Sequence, residues 1–197
     1  HGERGELHHV LPRLRLHGHV ALDHDGVVGR FRRRAPAVIE RHRLPGHIPT
    51  LEELYAACGT DFELSLDVKD PDAAAAIVDV ARAAGGGALG RLWLCHPDWE
   101  RVAGWRPLAP EVRLVDSTRL RRMKEGPERR AAALSDAGVD AVNLHHSDWT
   151  GGLTTLFHRF DRYCLGWDAQ YPRSLQQLLD VGIDGVLSDH FDRMVYA

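Results

Sequence analysis

Asp67 and Lys69 are the residues of this chain whose types and spacing first suggest chemistry. They stand two apart in Leu64-Ser65-Leu66-Asp67-Val68-Lys69, which alternates apolar and polar as a strand does. One carboxylate and one ammonium therefore point the same way. The chain holds 197 residues and 25 Lys and Arg, of which only Lys69 and Lys124 are lysines. An ammonium is a compact point charge that meets a phosphate oxygen differently from a planar guanidinium. The pair suits a carboxylate for a metal and a cation for an anionic substrate. A solvated strand face with an incidental ion pair is the plain alternative.

Other polar groups gather where strands should end. They are His24-Asp25, Cys95-His96, Asp116-Ser117, His145-His146, Trp167-Asp168-Gln170 and Ser188-Asp189-His190. The elements that must carry them alternate between strand and helix. Thr50 with Glu53 makes a capping box at a helix start. A strand is expected over Phe62 to Lys69, and an Ala-rich helix runs on to about Ala84, stopped by Gly85-Gly86-Gly87. Strands follow at Arg91 to Cys95, Val112 to Val115 and Tyr163 to Trp167. Helices are expected at Pro97 to Trp105, Pro127 to Ala137, Leu153 to Phe160 and Ser174 to Asp180. Gly138-Val139-Asp140 through His146 echoes Gly182-Ile183-Asp184 through His190, each a helix-ending glycine, an aspartate and a buried strand.

Repeated strand-helix units predict an α/β fold with a parallel sheet. A TIM (β/α)8 barrel is the first architecture and a doubly wound open sheet the second. Both collect function at the C-terminal ends of strands. No glycine-rich fingerprint follows a strand, which speaks against dinucleotide binding.

Composition excludes other classes. The hydrophobic fraction is 44%, the charged fraction 27% and the net charge −3, as in an ordinary globular protein with no basic surplus for nucleic acid. Arg32-Arg33-Arg34 and Arg119 to Arg122 read as solvated faces. Three scattered cysteines, Cys58, Cys95 and Cys164, form no disulfide framework, and a reducing, cytoplasmic setting is expected. No apolar run approaches the ~20 residues of a membrane span. Cys95-His96, Trp93, Trp99, Trp105 and Trp149 read as packing. One of His145 and His146 should face a pocket, Asp140 and Asp184 should serve turns, and Asp189 should fix a loop.

Five pieces stand in a telling order: His24-Asp25; Pro49-Thr50-Leu51-Glu52-Glu53; Asp67-Val68-Lys69; Gly166-Trp167-Asp168; and Gly182-Ile183-Asp184-Gly185-Val186-Leu187-Ser188-Asp189. This order resembles the glycerophosphodiester phosphodiesterase family over about residues 18 to 192. The resemblance implies a TIM barrel that hydrolyses glycerophosphodiesters to an alcohol and glycerol 3-phosphate, within lipid metabolism. It implies His24 as a catalytic acid–base histidine, Asp67 as a metal carboxylate where the family has Glu, Lys69 as a phosphate contact and Trp167 as a pocket aromatic. A divalent cation, Mg²⁺ or Ca²⁺, is implied as cofactor, and a small phosphodiester as partner.

The family's opening His-Arg-Gly and Glu-x-Asp segments have no recognisable counterpart. Glu6-Leu7-His8 is at most a degenerate trace. The expectation is therefore a barrel incomplete at its N-terminus, with residues 1–17 an irregular or remnant segment and 18–197 the barrel domain. Two rivals follow: an inactive barrel that binds phosphorylated ligands or a protein, and an aldolase with Lys69 as Schiff base. Asp67 on the same face would keep that lysine protonated and disfavours the aldolase.

Overall fold

The computed structural model describes residues 14–15 and 50–190. His24, Asp25, Arg32 to Arg34 and most of residues 1–17 lie outside the described residues. In chain order the elements are β1 (Leu14–Arg15), α1 (Leu51–Cys58), β2 (Leu64–Val68), α2 (Ala73–Ala84), β3 (Leu92–His96) and α3 (Trp99–Gly104). They continue as β4 (Arg113–Thr118), α4 (Pro127–Asp136), β5 (Ala141–His145), α5 (Gly151–His158), β6 (Tyr163–Trp167), α6 (Pro172–Asp180) and β7 (Gly185–Leu187).

The strands lie in one sheet in sequence order, β1 to β7. β1 runs antiparallel to β2, while β2 to β7 are parallel throughout. The open doubly wound alternative needs an order that reverses, and this one does not. The sheet also curls. Trp93 on β3 and Tyr163 on β6 have ring centroids 5.9 Å apart. Three strand spacings in a flat sheet would hold them about 14 Å apart. Among the described residues this is a curled half-barrel of six parallel strands plus one short antiparallel strand, so a closed eight-stranded barrel is not formed by them.

Apolar alternation divides the core in two. Leu64, Leu66 and Val68 face the helices and join the larger cluster with Ile77, Leu94, Leu114, Leu134, Leu144, Phe157 and Leu178. Cys95, Val115, Ala141, Leu165 and Leu187 fill the concave side of the sheet with Trp93 and Trp167.

Local signals place most elements. Thr50 Oγ1 accepts from the Glu53 N–H at 3.2 Å and a Glu53 carboxylate oxygen accepts from the Thr50 N–H at 2.7 Å, which completes the capping box. The two echoed glycines, Gly138 and Gly182, both take positive φ, +67° and +78°, which an L side chain resists. The aspartates that follow them do more than shape turns. Asp140 accepts from the Leu114 N–H of β4 at 2.8 Å and pairs with Arg106 and Arg113. Asp184 accepts from the Cys164 N–H of β6 at 2.6 Å. Each carboxylate thus ties the start of its own strand to the strand before it.

β4 runs three residues past the expected Val115. The apolar run ends there, yet the ladder goes on because the Asp116 charge is met by Arg130 from α4 at 2.7 Å. Gly166 is the close approach between β6 and α6. A Cβ there would lie 2.7 Å from Leu178 Cδ1, on a side chain that is itself buried. Gly166→Ala should lower stability by about 1–3 kcal/mol through overpacking. Urea unfolding reads this, and the same substitution in a Leu178→Ala background should cost clearly less; an equal cost in both would contradict the contact.

Candidate active site

The C-terminal ends of β2, β4, β5, β6 and β7 open into one cavity of about 490 Å³. β2 delivers Asp67 and Lys69 to it, because alternation that buries Leu66 and Val68 on the helix side turns their neighbours inward. Lys69 Nζ donates to Asp67 Oδ2 at 3.1 Å, with the lysine about half exposed. β6 delivers Trp167, and β7 delivers Leu187 and, just beyond it, Asp189. Asp67, Lys69 and Trp167, singled out far apart in sequence, therefore share one cavity. His24 lies outside the described residues.

Asp168 follows Trp167 at φ +62°, a left-handed conformation uncommon for a residue other than glycine. Its carboxylate accepts from His145 Nε2 at 3.1 Å and from the Gln170 amide at 3.1 Å. Gln170 Oε1 in turn accepts from the Asp189 N–H at 3.0 Å and the Ser188 hydroxyl at 3.3 Å. His145 takes the Ser147 N–H on Nδ1 at 3.2 Å, which leaves the proton on Nε2 for Asp168. Its ring stands edge-on to Trp167 at 4.7 Å and lies 4.3 Å from the ring of His146. Burial is the first cause that holds His146 below the usual imidazole range.

Two contributions were not read from the sequence. The first is arginine. Arg119, Arg121 and Arg122 line the cavity, so Arg119 to Arg122 is not merely a solvated face. These residues follow β4, which is longer than its apolar run suggests; that added length brings them to the same end as the other strand-end groups. Arg119 holds Asp148 through Nε at 2.8 Å, and its guanidinium lies 5.6 Å from the Trp167 ring centre. The second is Asn143 of β5. It donates to Ser117 Oγ at 3.1 Å, while its own carbonyl oxygen is buried and has no donor among the described residues. Cys95 beneath the site packs as expected: burial, first, and the Asp67 charge push its thiol up to about 12, far from a nucleophile.

Side chains close enough together to share a metal ion lie elsewhere than expected. His145, His146 and Asp168 form one set of three donor atoms within 4.8 Å of one another, and His158, Cys164 and Asp184 form another. Asp67 belongs to neither. Hard cations such as Mg²⁺ and Ca²⁺ take six or more oxygen ligands. One carboxylate beside an ammonium does not supply that, so the described residues do not enclose such an ion at Asp67.

No protein-family model matches the chain, and no curated protein matches it. Solved structures do. A protein from Silicibacter pomeroyi assigned as a glycerophosphoryl diester phosphodiesterase is 22% identical, with a TM-score of 0.62 over 91% of this chain and 76% of its own. Another so assigned, from Agrobacterium tumefaciens, is 14% identical with a TM-score of 0.68 over 97% of this chain and 82% of its own. A phosphodiesterase from Oleispira antarctica in complex with the product sn-glycerol-3-phosphate is 14% identical with a TM-score of 0.59 over 76% of this chain and 60% of its own. The likeness establishes the fold, an α/β arrangement of the kind those proteins share.

Proposed function

We propose that this chain is a hydrolase of glycerophosphodiesters. The observation that carries the reading is the meeting of Asp67, Lys69 and Trp167 in one cavity at the C-terminal ends of parallel strands, with arginines around it. That meeting supports the part of the resemblance carried by these three residues, on the fold of proteins that bear the activity in their names.

The residues suit the chemistry. A phosphodiester carries one negative charge and an alkoxide leaving group. Lys69 faces a non-bridging oxygen and offsets the charge that builds as water attacks phosphorus. The Trp167 ring sets a wall against the glycerol or the departing alcohol. His24 gives a proton to the leaving oxygen as the phosphorus–oxygen bond breaks, a contribution of typically ~10²–10⁴-fold, while the attacking water sheds its proton to solvent, from which His24 is reprotonated. Asp67 is the proposed carboxylate of a Mg²⁺ or Ca²⁺ site whose remaining ligands lie outside the described residues. A cytoplasmic setting and a place in lipid metabolism follow from the same reading. Among the described residues no helix is long and apolar enough to cross a membrane.

Release of glycerol 3-phosphate from glycerophosphocholine and glycerophosphoglycerol, with and without a chelator, tests this. Turnover that chelation stops supports the whole proposal. Turnover indifferent to chelation removes the metal and keeps the hydrolase. A second reading rests on the Lys69–Asp67 contact, since an ammonium already occupies the carboxylate. It is a barrel that binds phosphorylated ligands without cleaving them. Binding without turnover, abolished by Lys69→Ala, favours it.

A further inference from the structure

Four cations line the cavity, Lys69, Arg119, Arg121 and Arg122, and they differ in how they are partnered. Lys69 sits at the β2 side with its own carboxylate, Asp67, at 3.1 Å. Of the other lining acids, Asp168 is taken up by His145 and Gln170. Asp189 has interactions of its own. Across the cavity stand Arg121 and Arg122, exposed, and among the described residues no carboxylate pairs with either. They are not loosely placed. The turn that carries them, Leu120–Arg122, is fastened to a single carboxylate of the next strand-end loop. Asp148, largely buried, accepts from Arg119 Nε at 2.8 Å, from the second Arg119 amino group at 3.3 Å and from the Leu120 N–H at 3.1 Å. Met123, buried, closes the turn by donating its N–H to the Leu120 carbonyl at 3.1 Å.

A carboxylate thus spends its bonds on holding a turn whose next two side chains are unpaired guanidinium groups facing a cavity. Guanidinium forks recognise phosphate and carboxylate in two-point contacts. We infer that Arg121 and Arg122 form a second anion subsite, and that the substrate class is a glycerophosphodiester whose alcohol half itself carries a phosphate. This rests on the phosphodiester reading of the same cavity and names its substrate class. Cationic alcohols, choline and ethanolamine, are disfavoured because they would meet two unpaired arginines. Asp148 is a positioning residue in this arrangement.

Calorimetric binding separates this from the fate of the hydrolase proposal, because it needs no turnover. The probes are bis(glycerophospho)glycerol, which carries two phosphates, glycerophosphoglycerol, glycerophosphocholine and inorganic phosphate, at constant ionic strength. The two-phosphate diester should bind at least tenfold more tightly than glycerophosphoglycerol, with glycerophosphocholine weakest among the diesters. In the Arg121→Gln/Arg122→Gln variant, shown to be folded by its unchanged melting temperature, that ratio should fall to about one. Asp148→Asn should shrink the ratio in the same direction through the turn alone. Equal binding of the three diesters, a ratio that survives the double variant, or absence of binding would overturn the inference. Inorganic phosphate binding as tightly as the two-phosphate diester would also overturn it, by showing an unselective anion sink. Turnover of glycerophosphoglycerol, measured alongside, decides the hydrolase proposal independently.

Discussion

Lys69→Ala is expected to lower kcat/KM for glycerophosphodiester hydrolysis by about 10²-fold, the lower end of the range for removing one preorganised group that faces developing charge. The lower end applies because the lysine is about half exposed and water screens part of its field. Arginine should not restore it. A planar fork keeps the charge but not the compact ammonium that reaches past Asp67, so Lys69→Arg should recover less than a tenth of the lost rate. Exposure also makes the wild-type rate salt-sensitive, with kcat/KM falling as ionic strength rises from 0.02 to 0.5 M. Initial rates over that series check all three statements. A loss below threefold in Lys69→Ala would place the phosphate elsewhere in the cavity.

The second large effect concerns stability. Arg130→Met should cost about 3–5 kcal/mol, since it strands a buried charge. Asp116 is fully buried on β4 and Arg130 nearly so; Asp116 Oδ2 accepts from Arg130, and Oδ1 has no donor among the described residues. Arg130 also reaches Glu125 and lies 5.6 Å from the Trp99 ring centre, so one side chain joins β4, the loop before α4, and α3. Burial pushes the Asp116 carboxyl up to about 6, against the downward pull of Arg130. Because the folded chain then holds this proton more tightly than the unfolded chain, the contribution of Asp116 to stability falls as pH rises from about 4 to about 6. Without Arg130 the carboxyl moves higher still. The variant's loss should therefore be smaller at pH 5, where Asp116 is protonated, than at pH 8. Denaturant midpoints at the two pH values measure this. Pairing the variant with Asp116→Asn should recover part of the loss at pH 8, and no recovery would deny that the stranded charge is its cause.

How much of this was legible depended on whether the signal was local. β6 lies over Tyr163–Trp167 as its pattern suggests, and α1 begins at the capping box of Thr50 and Glu53. Those features are written in neighbouring residues. β4 was read short because its continuation depends on Asp116 being neutralised by a residue 14 positions away. The arginines were misread for the same reason: a run of like charges shows its composition but not which way a turn faces. Asp140 and Asp184 looked like turn residues because their bonds to β4 and β6 span 26 and 20 positions. At the candidate site, the strand alternation brought out Asp67 and Lys69 and the aromatic strand end brought out Trp167. The Asn143–Ser117 bond and the bracing by Asp148 had no sequence signal, since both arise only when separate strand ends converge.

The sequential order of β2 to β7 has a consequence for how the chain acquires its shape. From β2 to β6 every strand pairs with the one made just before it and the one made just after. Among the described residues no parallel strand must wait for a distant segment, so the closure entropy for each parallel pairing is that of a single helix-containing loop. The sheet can grow one strand-helix unit at a time as the chain is synthesised. At each stage a single advancing edge is exposed, and the next unit covers it. The cavity, which draws on β2 and β7 alike, is then the last feature to become complete, although its first two residues are in place early in assembly.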